Sequence, residues 1–97
     1  MIQHTVAFRL RHETGSAGES EFMAAAMKLS SISHVLNFRA LRQTSAKNEF
    51  TLGLIMDFEA QEHYDAYGQH ADHEDFIERY WKRDVEDFLE IDYVSYE

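Results

Sequence analysis

From Ile2 to Leu10 the chain alternates strictly, with Ile2, His4, Val6, Phe8 and Leu10 separated by Gln3, Thr5, Ala7 and Arg9. A period of two sends successive side chains to opposite faces, so this segment is a strand with one largely apolar face, and it demands a sheet to pair with. Thr14-Gly15-Ser16-Ala17-Gly18 interrupts it, and the period then changes. Phe22, Met23, Ala26, Met27 and Ser30 recur at i, i+3, i+4 spacing, which predicts a helix from Glu19 to Ser31. Val35 to Arg42 and Phe50 to Phe58 return to strand character, and the polar Gln43 to Glu49 stretch joins them as a hairpin. From Glu59 to about Asp87, Tyr64, Tyr67, Phe76, Tyr80 and Trp81 stand at helical spacing in a polar background, in pieces broken around Gly68 to Ala71. Phe88 to Tyr96 reads as the last strand.

The order β-α-β-β-α-β is the split βαβ arrangement of the ferredoxin-like α+β class, an antiparallel four-stranded sheet with both helices on one face. The other face then carries Ala7, Ile55, Leu89, Ile91 and Tyr93. A patch of that kind is buried when two copies pack face to face, which predicts a homodimer closed into an α+β barrel. A chain of 97 residues fills a single domain, 1–97, and a core this small gains from being shared.

Charge and composition narrow the function. A net charge of −9 opposes phosphate contacts, and the sparse basic stretch from Arg39 to Lys47 reads as an exposed strand and turn, so nucleic acid is not expected as a partner. There is no cysteine, which removes thiolate chemistry and suits the cytoplasm. No apolar run approaches the roughly 20 residues that cross a bilayer, so a membrane is not expected either.

Three stretches taken together, Ile2-Gln3-His4-Thr5-Val6-Ala7-Phe8, Tyr67-Gly68-Gln69-His70-Ala71-Asp72-His73 and Val85-Glu86-Asp87-Phe88-Leu89-Glu90-Ile91-Asp92-Tyr93, resemble the stress-responsive A/B barrel (Dabb) family. The resemblance covers essentially the whole chain and implies a dimeric α+β barrel. The family includes plant stress proteins, a polyketide cyclase and bacterial members of no assigned role. By resemblance to the cyclase, Tyr67 and His73 match an acid/base pair, His4 a pocket histidine and Asp92 the carboxylate near the catalytic histidine. The pocket wall maps onto Phe22, Met27, Leu54 and Phe76, and His70 belongs to the same loop. The chemistry implied is an aldol-type ring closure without a cofactor, on a small hydrophobic or aromatic molecule held between sheet and helices. Three positions depart from the cyclase pattern: Leu52 replaces a polar histidine, Ala71 a proline, and Glu90 an apolar wall residue.

The residues themselves leave a structural alternative open. A histidine held by a carboxylate can be a general base, but it is also the ordinary way to satisfy a core histidine, and Asp92 can play that part for His4. Tyr67, His70 and His73 can likewise tie the helix break to the sheet in a noncatalytic dimeric stress or scaffold protein. His12 and His63 read as solvated surface. His70 and His73, at i, i+3 with Asp72 and Glu74 beside them, form a weaker metal-ligand pattern, since on a helix the acids point away from the histidines. Haem follows only from analogy with related barrels. The expectation is therefore no metal and no cofactor.

Overall fold

The alternation of the first segment is realised in the computed structural model, which describes residues 1–97. Strand β1 (Ile2–Leu10) buries its even-numbered side chains and leaves the odd-numbered ones half-buried. It runs down the middle of an antiparallel four-stranded sheet of order β2-β3-β1-β4, with β2 (Leu36–Arg42) and β4 (Val85–Tyr93) at the edges and β3 (Leu52–Phe58) inside. Helix α1 (Ala17–Met27) and a following 3₁₀ turn (Lys28–Ser31) pack on the even-numbered face of β1. So do α2 (Gln61–Gln69) and α3 (Ala71–Phe76), the last running on through a π-helical turn (Ile77–Trp81) and a final turn (Lys82–Asp84). The ferredoxin-like expectation holds.

Element ends differ from the sequence reading for local reasons. Helix α1 starts at Ala17, ahead of the expected Glu19, because the Ser16 hydroxyl accepts from the Glu19 amide at 3.2 Å and caps it. Gly15, at φ 81°, supplies the left-handed turn before that cap. Strands β2 and β3 begin at Leu36 and Leu52 rather than Val35 and Phe50. Strand β4 spans Val85–Tyr93, not Phe88 to Tyr96, and follows the helix directly. Its early start is fixed at Asp84, which is 2 % exposed. The Asp84 carboxylate accepts from Arg83 Nε and a terminal guanidinium nitrogen at 2.7 and 2.9 Å, and its carbonyl accepts from the Arg11 amide at 2.8 Å. His12 also faces this carboxylate, Nε2 to Oδ1 at 3.2 Å, so it is no solvated surface residue. Gly18 makes room for the imidazole: a Cβ there would lie 2.3 Å from His12 Nδ1.

Phe8, Phe22, Met56 and Phe58 are the largest fully buried side chains, and the rings of Phe8, Phe22, Phe76 and Trp81 meet where α1 and α3 cross the sheet. Glu19 is buried at the rim of this core, bound by Arg42 at 2.9 Å and by the Gly15 amide at 3.2 Å.

Asp84 and Glu19 sit below their ordinary pKa, Asp84 chiefly through the Arg83 hydrogen bond and Glu19 chiefly through Arg42. A depressed folded-state pKa gives stability that is complete above the unfolded value, about 4, and is lost as pH falls through the folded one. The melting temperature is therefore expected to hold down to mildly acidic pH and then fall below about 4. Asp84→Asn is expected to lose about 1–3 kcal/mol at neutral pH and to flatten that acid limb. Parallel acid limbs in variant and parent would show that Asp84 does not carry it.

Candidate functional site

The site grows from one register. His4, at the centre of β1, stands opposite Met56 on β3 and Asp92 on β4, and Val6, two residues on, stands opposite Glu90. All five positions lie on the face the helices cover. His4 is 7 % exposed, and its Nδ1 is 2.6 Å from Asp92 Oδ1. An ionised carboxylate only accepts, so Nδ1 carries the proton and the lone pair falls to Nε2. Tyr64, on α2, closes this array from above, its hydroxyl donating to Asp92 Oδ2 at 2.7 Å while lying 2.9 Å from His4 Nδ1 and 3.5 Å from Glu90 Oε1. Burial first, and then the Asp92 and Glu90 carboxylates, push the Tyr64 phenol far up, so it stays a donor.

Tyr67 lies one turn further along α2 and is 3 % exposed. Its phenol is also pushed up, by burial and then by Glu90, but no hydrogen bond to the protein engages its hydroxyl. His73, on α3, packs its ring against Tyr67 with centroids 4.6 Å apart. Burial holds the His73 imidazole below its ordinary pKa, with interaction from the Gly68 backbone as the largest opposing influence, so it is neutral at physiological pH. His73 Nδ1 is buried without a well-formed hydrogen bond.

These groups surround a cavity of about 100 Å³ between sheet and helices, walled by Val6, Leu29, Leu54, Met56, Phe76 and Trp81 among others. His4, Tyr67, His73 and Glu90 form its polar end and also line a wider, open depression of about 410 Å³ that adds Tyr64, Asp65, Gly68 and Gln69. An apolar interior with a few convergent polar groups at one end is the usual form of a small-molecule site.

Five residues singled out from the sequence, His4, Leu54, Tyr67, His73 and Phe76, line this cavity. The other four stand elsewhere. Asp92 supports His4, not His73. Phe22 is sealed in the core, and Met27 is 55 % exposed on the outside of α1. His70 turns away to accept from the Asp72 amide at 3.0 Å, capping α3. That cap holds the loop at Ala71 without a proline, and it occupies His70 Nδ1. The acidic and histidine ligand atoms that do converge belong to His4, Glu90 and Asp92, within 4.8 Å of one another. His63 is half-buried, its ring stacked on that of the exposed His34 at 3.9 Å and 3°. Sequence reasoning passed over Tyr64 and Trp81. The signal for Tyr64 was present: it lies three residues before Tyr67, on the same helical face.

The model of the Stress responsive A/B Barrel Domain matches residues 2–95. Among curated proteins, none matches the sequence. A Dabb family protein with a ferredoxin-like fold from Mesorhizobium loti superposes with a TM-score of 0.97 at 43 % identity, over 99 % of this chain and 97 % of that one. A protein from Arabidopsis thaliana reaches 0.85 at 19 % identity, over 100 % and 97 % of the two chains. The hydroxynitrile lyase of Passiflora edulis also reaches 0.85, at 13 % identity over 99 % and 94 %. At those last identities the likeness is one of fold. Dimeric ferredoxin-like proteins of unknown function from Thermobifida fusca and Bacteroides fragilis share it too.

Proposed function

We propose that this chain, which belongs to the stress responsive A/B barrel domain family, works as a homodimer that binds a small apolar molecule with one polar head between sheet and helices, and that His4, oriented by Asp92, is the general base there. The observation that carries this reading is the Tyr67 hydroxyl. The Tyr67 ring is buried while its hydroxyl reaches the polar end of an apolar cavity, and a hydroxyl kept there without a protein partner is free for a ligand. The network of His4, Asp92 and Tyr64 is, by contrast, satisfied within the protein. A purely structural role explains that network but leaves Tyr67 unexplained.

Roles follow from the hydrogen bonds. Asp92 fixes the His4 tautomer and stabilises the imidazolium that forms when Nε2 takes a proton, an effect typically worth about 10²–10⁴ in rate. Tyr67, held protonated, keeps its hydroxyl available to hydrogen-bond the ligand's head. His73 lacks a carboxylate partner and is kept neutral by burial, so it serves as a polar contact and not as the base, a reversal of the assignment that resemblance suggested. The reaction class is cofactor-free proton transfer of the lyase or cyclase kind, and the hydroxynitrile lyase that shares the fold supports it by analogy of architecture.

The test compares two phenols. Tyr67→Phe is expected to stay within about 0.5 kcal/mol of the parent in urea unfolding, because it removes no protein hydrogen bond. Tyr64→Phe is expected to lose about 1–3 kcal/mol, because Asp92 Oδ2 loses its donor. A loss at Tyr67 as large as that at Tyr64 would make its hydroxyl a structural partner and sink the reading.

A further inference from the structure

We infer that the head group this pocket accepts is a primary ammonium, so that its ligand is a small amine with a compact aliphatic or aromatic body. This rests on the reading of the pocket as a ligand site, and it names the substrate class. The first observation is charge. The cavity and its mouth are lined by two carboxylates, Asp65 and Glu90, and by no lysine or arginine. Asp92 adds a third carboxylate directly behind His4. A carboxylate or phosphate head would enter among like charges with no cation to meet it.

The second observation is the balance of donors and acceptors. An ammonium has three N–H donors and no acceptor. The polar end supplies the Glu90 carboxylate, the oxygen of the Tyr67 hydroxyl, which no protein group engages, and the lone pair His4 keeps on Nε2 once Nδ1–H is given to Asp92. Ligand atoms of His4 and Glu90 lie within 4.8 Å of each other, so both side chains reach the same end of the cavity. Charge-assisted hydrogen bonds are roughly twice as strong as neutral ones, so Glu90 favours an ammonium over a hydroxyl of the same shape. The rings of Tyr67, Phe76 and Trp81 complete the site, giving a cation aromatic faces and the body of the ligand an apolar wall.

Trp81 is the only tryptophan and lines the cavity, so its fluorescence reports occupancy. The probes are isobutylamine and benzylamine, each beside its alcohol and its carboxylate (isobutanol and isobutyrate, benzyl alcohol and benzoate), titrated at neutral pH into the parent and into Glu90→Gln. Glu90 is exposed at the rim, and the amide preserves its shape. In at least one series the amine is expected to bind the parent about tenfold or more tighter than the alcohol, and the carboxylate is expected not to saturate. Glu90→Gln is expected to bring the amine down to the alcohol while leaving the alcohol unchanged. Alcohols that bind as tightly as amines, or carboxylates that bind better, overturn the ammonium and leave the pocket standing. Saturation by zinc ion with no response to either amine assigns the carboxylates to a metal and overturns it as well. Silence of Trp81 toward every probe removes the pocket reading itself, and the inference with it.

Discussion

Phe22→Ala is expected to cost about 3–5 kcal/mol of folding stability, the usual range for an aromatic ring removed from a sealed core. Small domains have about 5–15 kcal/mol in all, so the variant sits near the edge of folding. Phe22 is fully buried, and its ring lies 5.6 Å from Phe8, 5.4 Å from Phe76 and 6.2 Å from Trp81 between centroids. It is the contact through which α1 reaches both the sheet and α3, so removing it opens a void bordered by three rings that cannot all move in to fill it. At about 4–8 °C per kcal/mol for a domain of this size, the melting temperature should drop by roughly 15–30 °C. Met27→Ala, on the exposed side of the same helix, is expected to change stability by less than about 0.5 kcal/mol. Thermal unfolding of the pair separates core from pocket wall. A pocket wall can be trimmed cheaply because the space beside it is already open, so equal and small losses at both positions would return Phe22 to the ligand site.

That contrast marks where the sequence stops being legible. Periodicity identifies which segments are strands and helices, because a period of two or of 3.6 is a property of one element and its own buried face. It places Ile2 to Leu10 to the residue. It does less well at Val85, where Glu86 and Asp87 hide the start of β4. Those acids are exposed, and Glu86 is drawn to Arg9 at 3.2 Å, a pairing across strands that no local pattern shows. The same limit applies to Asp84, whose burial depends on Arg83, His12 and Arg11 meeting at one corner of the fold.

At the site, residue types were legible and partnerships were not. His4 and Asp92 fall on one face of the sheet by alternation alone, and resemblance pointed to Tyr67 and His73. Which histidine the carboxylate supports depends on register, and register pairs Asp92 with His4. Resemblance placed Met27 in the pocket wall beside Phe22, yet a helix has a broad apolar stripe of which only part faces the sheet. Tyr64 was missed because an aromatic at helical spacing is ordinarily core, and nothing before the fold shows that its hydroxyl spans His4 and Asp92.

Ile91→Lys is expected to turn a dimer into a monomer. On the sheet face away from the helices, Leu41, Leu89, Ile91 and Tyr93 are 42, 50, 39 and 52 % exposed, around a shallow apolar depression of about 230 Å³ that includes Ala7, Gly53 and Ile55. Gly53 keeps that floor low although the chain itself does not require it, since a Cβ there would meet only the Val6 carbonyl at 3.5 Å, an ordinary contact. In a two-fold dimer each substitution appears twice, so two ammonium groups must be desolvated against apolar surface, and about 3 kcal/mol or more of lost association means over a hundredfold weaker dimerisation. Light scattering at micromolar concentration should give twice the chain mass for the parent and the chain mass for the variant. The parent's melting temperature should rise with concentration while the variant's does not. A monomeric parent would end the dimer proposal. The effect should also reach the site, because β4 is an edge strand within one chain and carries Leu89, Ile91 and Tyr93 on one face and Glu90 and Asp92 on the other. Packing the first face holds the strand that presents the second. The monomeric variant is therefore expected to loosen the hydrogen bond from His4 to Asp92, seen as faster exchange of the His4 Nδ1 proton, even though Ile91 touches neither residue's side of the sheet.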